Sequence, residues 1–174
     1  GTPRQTAYIA VASGTIKPFT TTTVTPPSGG AGALSASAQN ICSFQAFNKV
    51  FFLDGLNYRY YDPFAATPIQ RWKSTSAGEI PKRARWGTLW RGRVVLIRFD
   101  NPSNWAMSKQ GDPFNWDTSP AVQTEQQAIW GTDEDSPGVV ADIINTVIPY
   151  DNERLIFGGD RSIHALVGDP LSGG

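Results

Sequence analysis

One phrase recurs three times along this chain, and it constrains the fold more than any other feature. Each copy contains a short run of β-forming residues, a tight turn, a central apolar run, another turn and a third run that ends near Asp-Pro. The first runs read CSFQAF, ARWGTLW and NTVIPY, and the central runs read KVFFLD, RVVLIRF and ERLIFGG. The turns between them are predicted at Asn48, Arg91-Gly92 and Asp151-Asn152. Asp112 follows Asp62 by 50 residues, and Asp169 follows Asp112 by 57. Repeats of this length, built from antiparallel meanders, are typical of β-propeller blades.

The rest of the sequence also favours an all-β fold, because no long stretch shows the 3.6-residue apolar period of a helix. Short runs rich in β-branched and aromatic residues alternate with turn residues. One short helix is predicted at Gln123–Ile129, and a long exposed loop at Thr20–Ala38. The predicted strands are Tyr8–Ala12, Lys49–Asp54, Tyr58–Tyr61, Arg93–Phe99, Trp105–Ser108, Glu153–Phe157 and Ser162–Val167, with an edge strand in Pro68–Trp72.

We interpret residues 1–174 as a single all-β domain, a sector of a larger propeller. The approximate blades are 1–37, 38–78, 83–118 and 139–174, of which the first and last are incomplete. A single meander cannot cover both of its faces, so neighbouring blades must do so. The alternative is a β-sandwich of seven or more strands, which gives no reason for the phrase to recur.

Two positions in each repeat have predicted structural roles. The proline of each Asp-Pro pair ends a strand ladder, and the aspartate before it can bond nearby backbone. Each central run begins with a charged residue, which we expect at the solvent rim. These residues are Lys49, Arg93 and Glu153.

Composition excludes several classes of function. The 15 basic residues balance the 15 acidic ones, so no global field attracts nucleic acid or an anionic membrane. The single cysteine, Cys42, excludes an internal disulfide framework and a cysteine-based zinc site. No apolar run approaches the roughly 18 residues of a membrane span. We expect no cofactor, no metal and no membrane span.

The sequence predicts no catalytic residues. The only histidine, His164, lies in a predicted strand and is expected on a face or at the rim of the sheet. Asp133, Glu134 and Asp135 form an acidic run without the alternating spacing of a calcium loop, so a solvated loop is the better interpretation. The chain also has no glycine-rich phosphate loop. We therefore expect a protein that is not an enzyme.

Tryptophans and arginines provide the candidate contacts. Aromatic and arginine side chains can anchor a protein interface or stack on nucleobases and sugars. The segment KRARWGTLWRGR contains no acid and could make weak, salt-sensitive contacts with a polyanion. The alternative is that the tryptophans pack between blades. The candidate protein contacts are Trp105, Trp116 and Trp130. The candidate polyanion contacts are Arg83, Arg85, Arg91 and Arg93.

Two long segments resemble a known family. VIPYDNERLIFGGDRSIHALVGDPLSGG and GRVVLIRFDNPSNWAMSKQGDPFNWD resemble blades of virion β-propeller proteins of tailed bacteriophages, of the tail nozzle (tail tubular) and tail-hub types. The resemblance covers roughly residues 40–174. It implies a structural, non-catalytic role in a tail or head–tail assembly, within a virion assembled in the host cytoplasm.

The same resemblance implies the partners. It implies contacts with other virion proteins, in a homo-oligomeric ring through which DNA passes. Because proteins of this family are much longer, it also implies that the chain is part of a larger protein. Two alternatives remain open: a cellular propeller that acts as an interaction module, and a propeller that binds or processes glycans.

Overall fold

The computed structural model describes residues 8–12, 15–19, 34–35, 38, 40–132 and 138–171. Within them the fold is all-β and contains no helix, which confirms the predicted fold class. The strands are β1 (Tyr8–Ala12), β2 (Thr15–Phe19), β3 (Cys42–Ala46), β4 (Lys49–Leu53), β5 (Tyr58–Tyr61), β6 (Ile69–Arg71), β7 (Ala77–Gly78), β8 (Ala84–Trp90), β9 (Arg93–Arg98), β10 (Trp105–Met107), β11 (Asn115–Trp116), β12 (Ile129–Gly131), β13 (Ile144–Pro149), β14 (Arg154–Gly159) and β15 (Ile163–Val167).

Consecutive strands pair into antiparallel meanders, as the repeats predict. Strands β1 and β2 form the hairpin layer, and β3 to β6 form the first sheet in sequence order. Strands β8, β9, β10 and β12 form the second sheet, and β13 to β15 form the third. A short parallel ladder joins β7 to β11. None of the described sheets closes into a barrel, and their arrangement is consistent with either a partial propeller or a sandwich.

The tight turns of the first two repeats lie where the sequence predicts them. Phe47 and Asn48 have φ angles of 50° and 58°, and Arg91 and Gly92 have 48° and 70°. Two successive left-handed residues are the signature of the two-residue hairpin turn whose twist matches that of the strands. The first two repeats therefore share one turn design.

The third repeat has a longer turn. Lys49 and Arg93 pair directly after the two-residue loops of their hairpins. In the third sheet the amide of Tyr150 donates to the carbonyl of Arg154 at 3.1 Å, which leaves a three-residue loop. Strand β14 consequently begins at Arg154, so the prediction that it begins at Glu153 is wrong by one residue.

The three Asp-Pro pairs adopt the same local structure. Each carboxylate accepts a hydrogen bond from the backbone amide two residues further along the chain, which caps the turn that follows. This agrees with their structural interpretation. The bonds join Asp62 to Phe64 at 3.0 Å, Asp112 to Phe114 at 2.9 Å and Asp169 to Leu171 at 3.0 Å.

Strand alternation gives the first and second sheets two apolar faces each. In β4, Phe52 packs toward the hairpin layer and Phe51 toward the second sheet. In β9, Leu96 packs toward the first sheet and Val95 toward the third. All four side chains are buried. The hairpin layer and the three sheets therefore stack face to face in chain order.

The third sheet presents a second apolar face to solvent in the described part of the chain. Its strand register places Ile148, Ile156 and Ala165 in one row. Ile163 and Val167 flank Ala165 on the same side of β15, and Ile163 is 79% exposed. We call these five residues the outer face.

The predicted helix at Gln123–Ile129 is wrong. The segment makes a single turn, in which the amide of Gln127 donates to the carbonyl of Thr124 at 3.1 Å, and Ile129 already belongs to β12. The reason is tertiary: the carbonyls of residues 125–127 accept hydrogen bonds from the Arg93 guanidinium. These bonds hold the three carbonyls toward Arg93 and so favour the observed turn over a helix.

Two other predicted segments lie largely outside the described residues. Of the predicted exposed loop Thr20–Ala38 only residues 34, 35 and 38 are described, and Leu34 is buried against the first sheet. The acidic run 133–135 is not among the described residues. In the part of the chain that the structure describes, no helix is long and apolar enough to cross a membrane.

Candidate functional site

Two of the three candidate tryptophans belong to the core. Trp105 and Trp116 are each 2% exposed. The Trp105 ring lies 6.0 Å from the Phe157 ring, between the second and third sheets, and the Trp116 indole donates to the carbonyl of Pro113 at 3.1 Å. Their interpretation as partner contacts is therefore wrong, and both tryptophans instead pack in the core between sheets. Trp130, on β12, is half-buried and packs against the core between the first and second sheets.

The four candidate arginines do not form one basic surface. Arg93 is 2% exposed, so its prediction as a rim residue and polyanion contact is wrong. Arg91 joins the second sheet to the third, since its guanidinium lies 3.6 Å from the Glu153 carboxylate and 3.7 Å from that of Asp169. Only Arg83 and Arg85 lie together, at the opposite end of β8, about 20 Å from Arg91 at the rise of a strand.

A break in strand pairing positions Arg83 and Arg85. The register of β8 against β9 shifts between Ala84 and Trp86, so Arg85 is the extra residue of a β-bulge. Arg83 lies in the left-handed region with φ 57°. Bulges turn side chains away from the regular alternation of a strand. The two arginines therefore leave β8 in directions that an ideal strand would not give them.

The first sheet holds this break in place. The Tyr58 hydroxyl donates to the carbonyl of Pro81 at 2.6 Å and accepts the amide of Ala84. The amide of Phe99 donates to the carbonyl of Arg83 at 2.7 Å. These bonds fix the backbone on both sides of Arg83.

Both guanidinium groups pack on one aromatic ring. The guanidinium carbon of Arg83 lies 5.7 Å from the centre of the Phe99 ring, and that of Arg85 lies 5.4 Å from it. Arg85 is also 5.7 Å from the Trp86 ring. Phe99 is 47% exposed. We call Arg83, Arg85 and Phe99 the arginine ledge, a pre-positioned pair of cations on an aromatic support.

Two clefts flank the arginine ledge, and both are lined by Arg85 and Phe99. The larger has a volume of about 220 Å³ and extends to the β4–β5 turn at Asp54, Gly55 and Leu56. The smaller has a volume of about 90 Å³ and extends to the beginning of the third sheet at Ile143. Together the clefts and the ledge form a groove across one end of the stack.

Nearby acids are already engaged. The carboxylate of Asp54 accepts the amides of Leu56 at 2.8 Å and Asn57 at 2.6 Å. Burial acts to raise the pKa of Asp54, but these bonds and others outweigh it and lower the pKa below its ordinary value. Arg98 binds Asp100 through two bonds of 3.0 Å. Both carboxylates therefore stay ionised near neutral pH, because the pKa of Asp100 is also lowered, mainly by Arg98, and the groove contains acidic as well as basic groups.

A second cluster combines an aspartate, a serine and a histidine but has the wrong connectivity for a catalytic triad. The Ser162 hydroxyl donates to Asp142 Oδ2 at 2.7 Å, and the hydroxyl oxygen of Ser162 also lies 2.7 Å from His164 Nε2. The hydroxyl has one proton, so His164 must donate to it. A catalytic histidine accepts the serine proton instead.

This cluster instead stabilises the β14–β15 turn. Asp142 Oδ2 also accepts the backbone amides of Arg161 and Ser162, both at 2.9 Å. The Ser162 hydroxyl and these amides lower the pKa of Asp142 to about 2. His164 lies half-buried on β15, which confirms its prediction as a strand-face residue. Among the described residues no three metal-binding side chains are grouped closely enough to hold a metal ion.

Sequence reasoning identified the two arginines but missed Phe99. The position of Phe99 could have been predicted from the hairpin, because a two-residue turn at Arg91-Gly92 brings the end of β9 back to the beginning of β8. Phe99 then lies opposite the arginines on the neighbouring strand.

Comparison with known proteins does not identify a family for this chain: no family model matches it, and no curated protein matches it.

Proposed function

We propose that this chain is a structural, non-catalytic part of a β-propeller in a tailed-bacteriophage virion, where it contributes to a tail or head–tail assembly. The proposal rests on the phage-like blade segments and on the layered architecture. The neighbours would be other virion proteins, arranged in a homo-oligomeric ring around the path of the DNA. The reversed hydrogen bonding of the serine–histidine cluster supports a role without catalysis.

The outer face of the third sheet is the observation that carries this proposal. Counted from the first residue of each central strand, Ile156 is equivalent to Phe51 and Val95. The next sheet covers both of those side chains completely. Ile156 and its neighbours form the same kind of face without a following sheet in the described chain.

The occupant that fits the outer face is another meander of the same design. Three successive contacts in this chain already join one apolar layer to the next. Fully burying an isoleucine or valine side chain stabilises by about 1.5–3 kcal/mol, so a further layer would contribute substantially. A propeller supplies this layer by continuing around its axis.

The glycan alternative loses support because Trp105 and Trp116 are buried and cannot line a sugar site. We expect this chain to bind DNA at most weakly, because Arg93 is buried and Arg91 is paired with acids. The expectation remains weak binding that disappears as salt is raised.

Two experiments test the proposal. Mass spectrometry of gradient-purified phage particles from the source material should detect peptides of this chain in the particle fraction. Their presence only in soluble cellular fractions would favour the cellular interaction module.

The outer face is tested on the isolated chain. We expect the chain to bind a hydrophobic dye and to self-associate in sedimentation velocity. The double variant Ile163→Lys and Val167→Lys should lose both properties. Val122→Lys is the matched control, because Val122 is equally exposed but lies outside the outer face. Equal behaviour of the two variants would refute the role of this face.

A further inference from the structure

We propose that Arg59 and Arg71 together bind a small free oxyanion, for which inorganic phosphate has the best matched chemistry. The two arginines lie on neighbouring strands, β5 and β6, of the first sheet. We call them the β5–β6 pair. The inference depends neither on the virion assignment nor on the arginine ledge.

The register of the first sheet places the two arginines side by side. Arg59 pairs directly with Arg71 on one side and with Phe52 of β4 on the other. Phe52 packs toward the hairpin layer, so all three side chains lie on that face of the sheet. Directly paired residues have Cβ atoms about 4.5–5.5 Å apart, and like charges in such a pair repel each other. An anion between the two guanidinium groups would remove this repulsion.

The guanidinium group of Arg59 turns toward the strand that carries Arg71. The carbonyl of Tyr58 points toward β6, because it accepts the amide of Trp72 at 3.1 Å. Nη1 of Arg59 donates to the same carbonyl at 2.7 Å. Burial lowers the pKa of Arg59, and the charge of Arg71 lowers it further. The two cations therefore act on each other directly.

The donors of Arg59 are not used up by the protein. The side chain is 93% buried, since the residue is 7% exposed, and its Nε has no hydrogen-bond partner. In the described part of the chain neither arginine forms an ion pair, and no acceptor contacts Nη2 of Arg59. A cation buried without a partner is costly, because it has lost water and gained no counterion. Nη2 is thus available to a ligand that also contacts Arg71.

Asp54 does not neutralise the β5–β6 pair, although it stays ionised. Its carboxylate accepts the amides of Leu56 at 2.8 Å and Asn57 at 2.6 Å, and it forms no ion pair with either arginine. Beside the main effect of burial, Arg71 lowers the pKa of Arg59 more than Asp54 raises it. The field of the neighbouring charges at Arg59 is therefore positive.

The repeat itself does not require arginines at these positions. Phe52 and Leu96 are both the fourth residue of a central strand. The row that begins at Leu96 in the second sheet continues with Ala106 and Trp130, so it contains no charge. Packing between layers can thus be achieved without the cations of the β5–β6 pair, which leaves ligand binding as their distinct role.

The chemistry of the pair favours phosphate over a carboxylate or a nucleic acid. Phosphate has several acceptor oxygens and more than one negative charge near neutral pH, so one ion can bind both guanidinium groups. A carboxylate has a single charge. A phosphate of a nucleic-acid backbone lies between two sugars, which keep it away from a side chain as enclosed as Arg59.

The test is isothermal titration calorimetry of the whole chain with sodium phosphate at constant ionic strength. We expect one phosphate to bind per chain, and acetate to bind at least about tenfold more weakly. Arg71→Gln should also weaken phosphate binding at least about tenfold. Arg71 is exposed, so this variant should fold. Arg161→Gln, at an exposed arginine of the β14–β15 turn, is the matched control and should bind as the wild type does.

Thermal unfolding gives a second measurement. At ten times its Kd, phosphate should raise the Tm of the wild type by about 3–6 °C more than that of Arg59→Met. This difference excludes the general stabilisation by phosphate salts, which acts on both proteins.

The proposal is overturned if phosphate binding does not saturate, if acetate binds as tightly, or if Arg161→Gln weakens binding as much as Arg71→Gln. An equal response of Tm to phosphate in the wild type and Arg59→Met would also overturn it. The same holds if a short DNA duplex competes for the β5–β6 pair more tightly than phosphate.

Discussion

Replacing Arg93 with methionine would remove the group that joins the Thr118–Gln127 loop to the second sheet. Nη1 of Arg93 reaches the carbonyls of Ser108 at 3.1 Å, Gln126 at 3.2 Å and Gln127, and Nη2 reaches that of Glu125 at 2.6 Å. Burial lowers the pKa of Arg93, with Asp169 acting in the opposite direction, but arginine remains protonated in proteins. The buried cation is therefore stabilised mainly by carbonyl dipoles.

The expected loss follows from these bonds. Nη1 has two hydrogens for three carbonyls, so about three of the four contacts are good hydrogen bonds at one time. Each bond to a charged group contributes about 1.5–3 kcal/mol, and the desolvation of a buried guanidinium offsets several kcal/mol of that sum. Methionine restores apolar packing but leaves the carbonyls without their donor. We expect the free energy of unfolding to fall by about 3 kcal/mol.

The assay is urea unfolding, with thermal unfolding as a second measurement. A loss of about 3 kcal/mol corresponds to a drop of about 6–12 °C in Tm for a chain of this size. Arg93→Lys keeps the charge but has fewer directed donors and should lose about half as much. Arg91→Met removes a more exposed pair and should lose about 1 kcal/mol or less. A loss below about 1 kcal/mol for Arg93→Met would refute the reasoning.

Three further predictions concern a glycine, a carboxylate and the cysteine. The Cβ of Gly131→Ala would lie 2.1 Å from Trp105 Cε2, so this variant should lose about 2–3 kcal/mol in urea unfolding. Gly111→Ala meets no atom but has φ of 78°, so it should lose only about 1 kcal/mol, and equal losses would contradict the steric argument. Because the pKa of Asp142 is lowered to about 2, its contribution is complete above the unfolded pKa near 4 and is lost toward pH 2. The stability difference between wild type and Asp142→Asn should therefore shrink between pH 4 and 2 in acid titrations, and a constant difference would contradict the lowered pKa. Burial raises the pKa of Cys42, so a thiol reagent at pH 8 should modify the native chain far more slowly than the unfolded one, whereas equal rates would exclude this environment.

The meanders could be predicted because their signals are local. Alternation, apolar runs and two-residue turns depend on neighbours in the sequence, and the predicted turn at Arg91-Gly92 lies where the structure has it. Strand β8 also spans the whole run ARWGTLW that the repeat defined. The third turn was misjudged by one residue, because its length depends on pairing that no turn residue specifies.

The candidate site was less predictable because it depends on long-range contacts. The sequence of a basic segment does not show whether an arginine faces solvent or is buried. Arg93 is buried and donates hydrogen bonds to the carbonyls of a loop more than thirty residues away. The buried tryptophans were predicted wrongly for the same reason, since an indole near a turn can point either into the core or toward solvent. The bulge at Arg85, which creates the ledge, has no distinct sequence signal.

The order of the layers also determines how this chain would respond to mechanical force. Packed apolar side chains join each layer to its immediate predecessor and successor along the polypeptide. Tension between two distant points would therefore load the interfaces in series, and the layers would peel off one at a time instead of yielding together. Enclosure by a closed ring removes this weakness, because no layer then has a free edge from which peeling can begin.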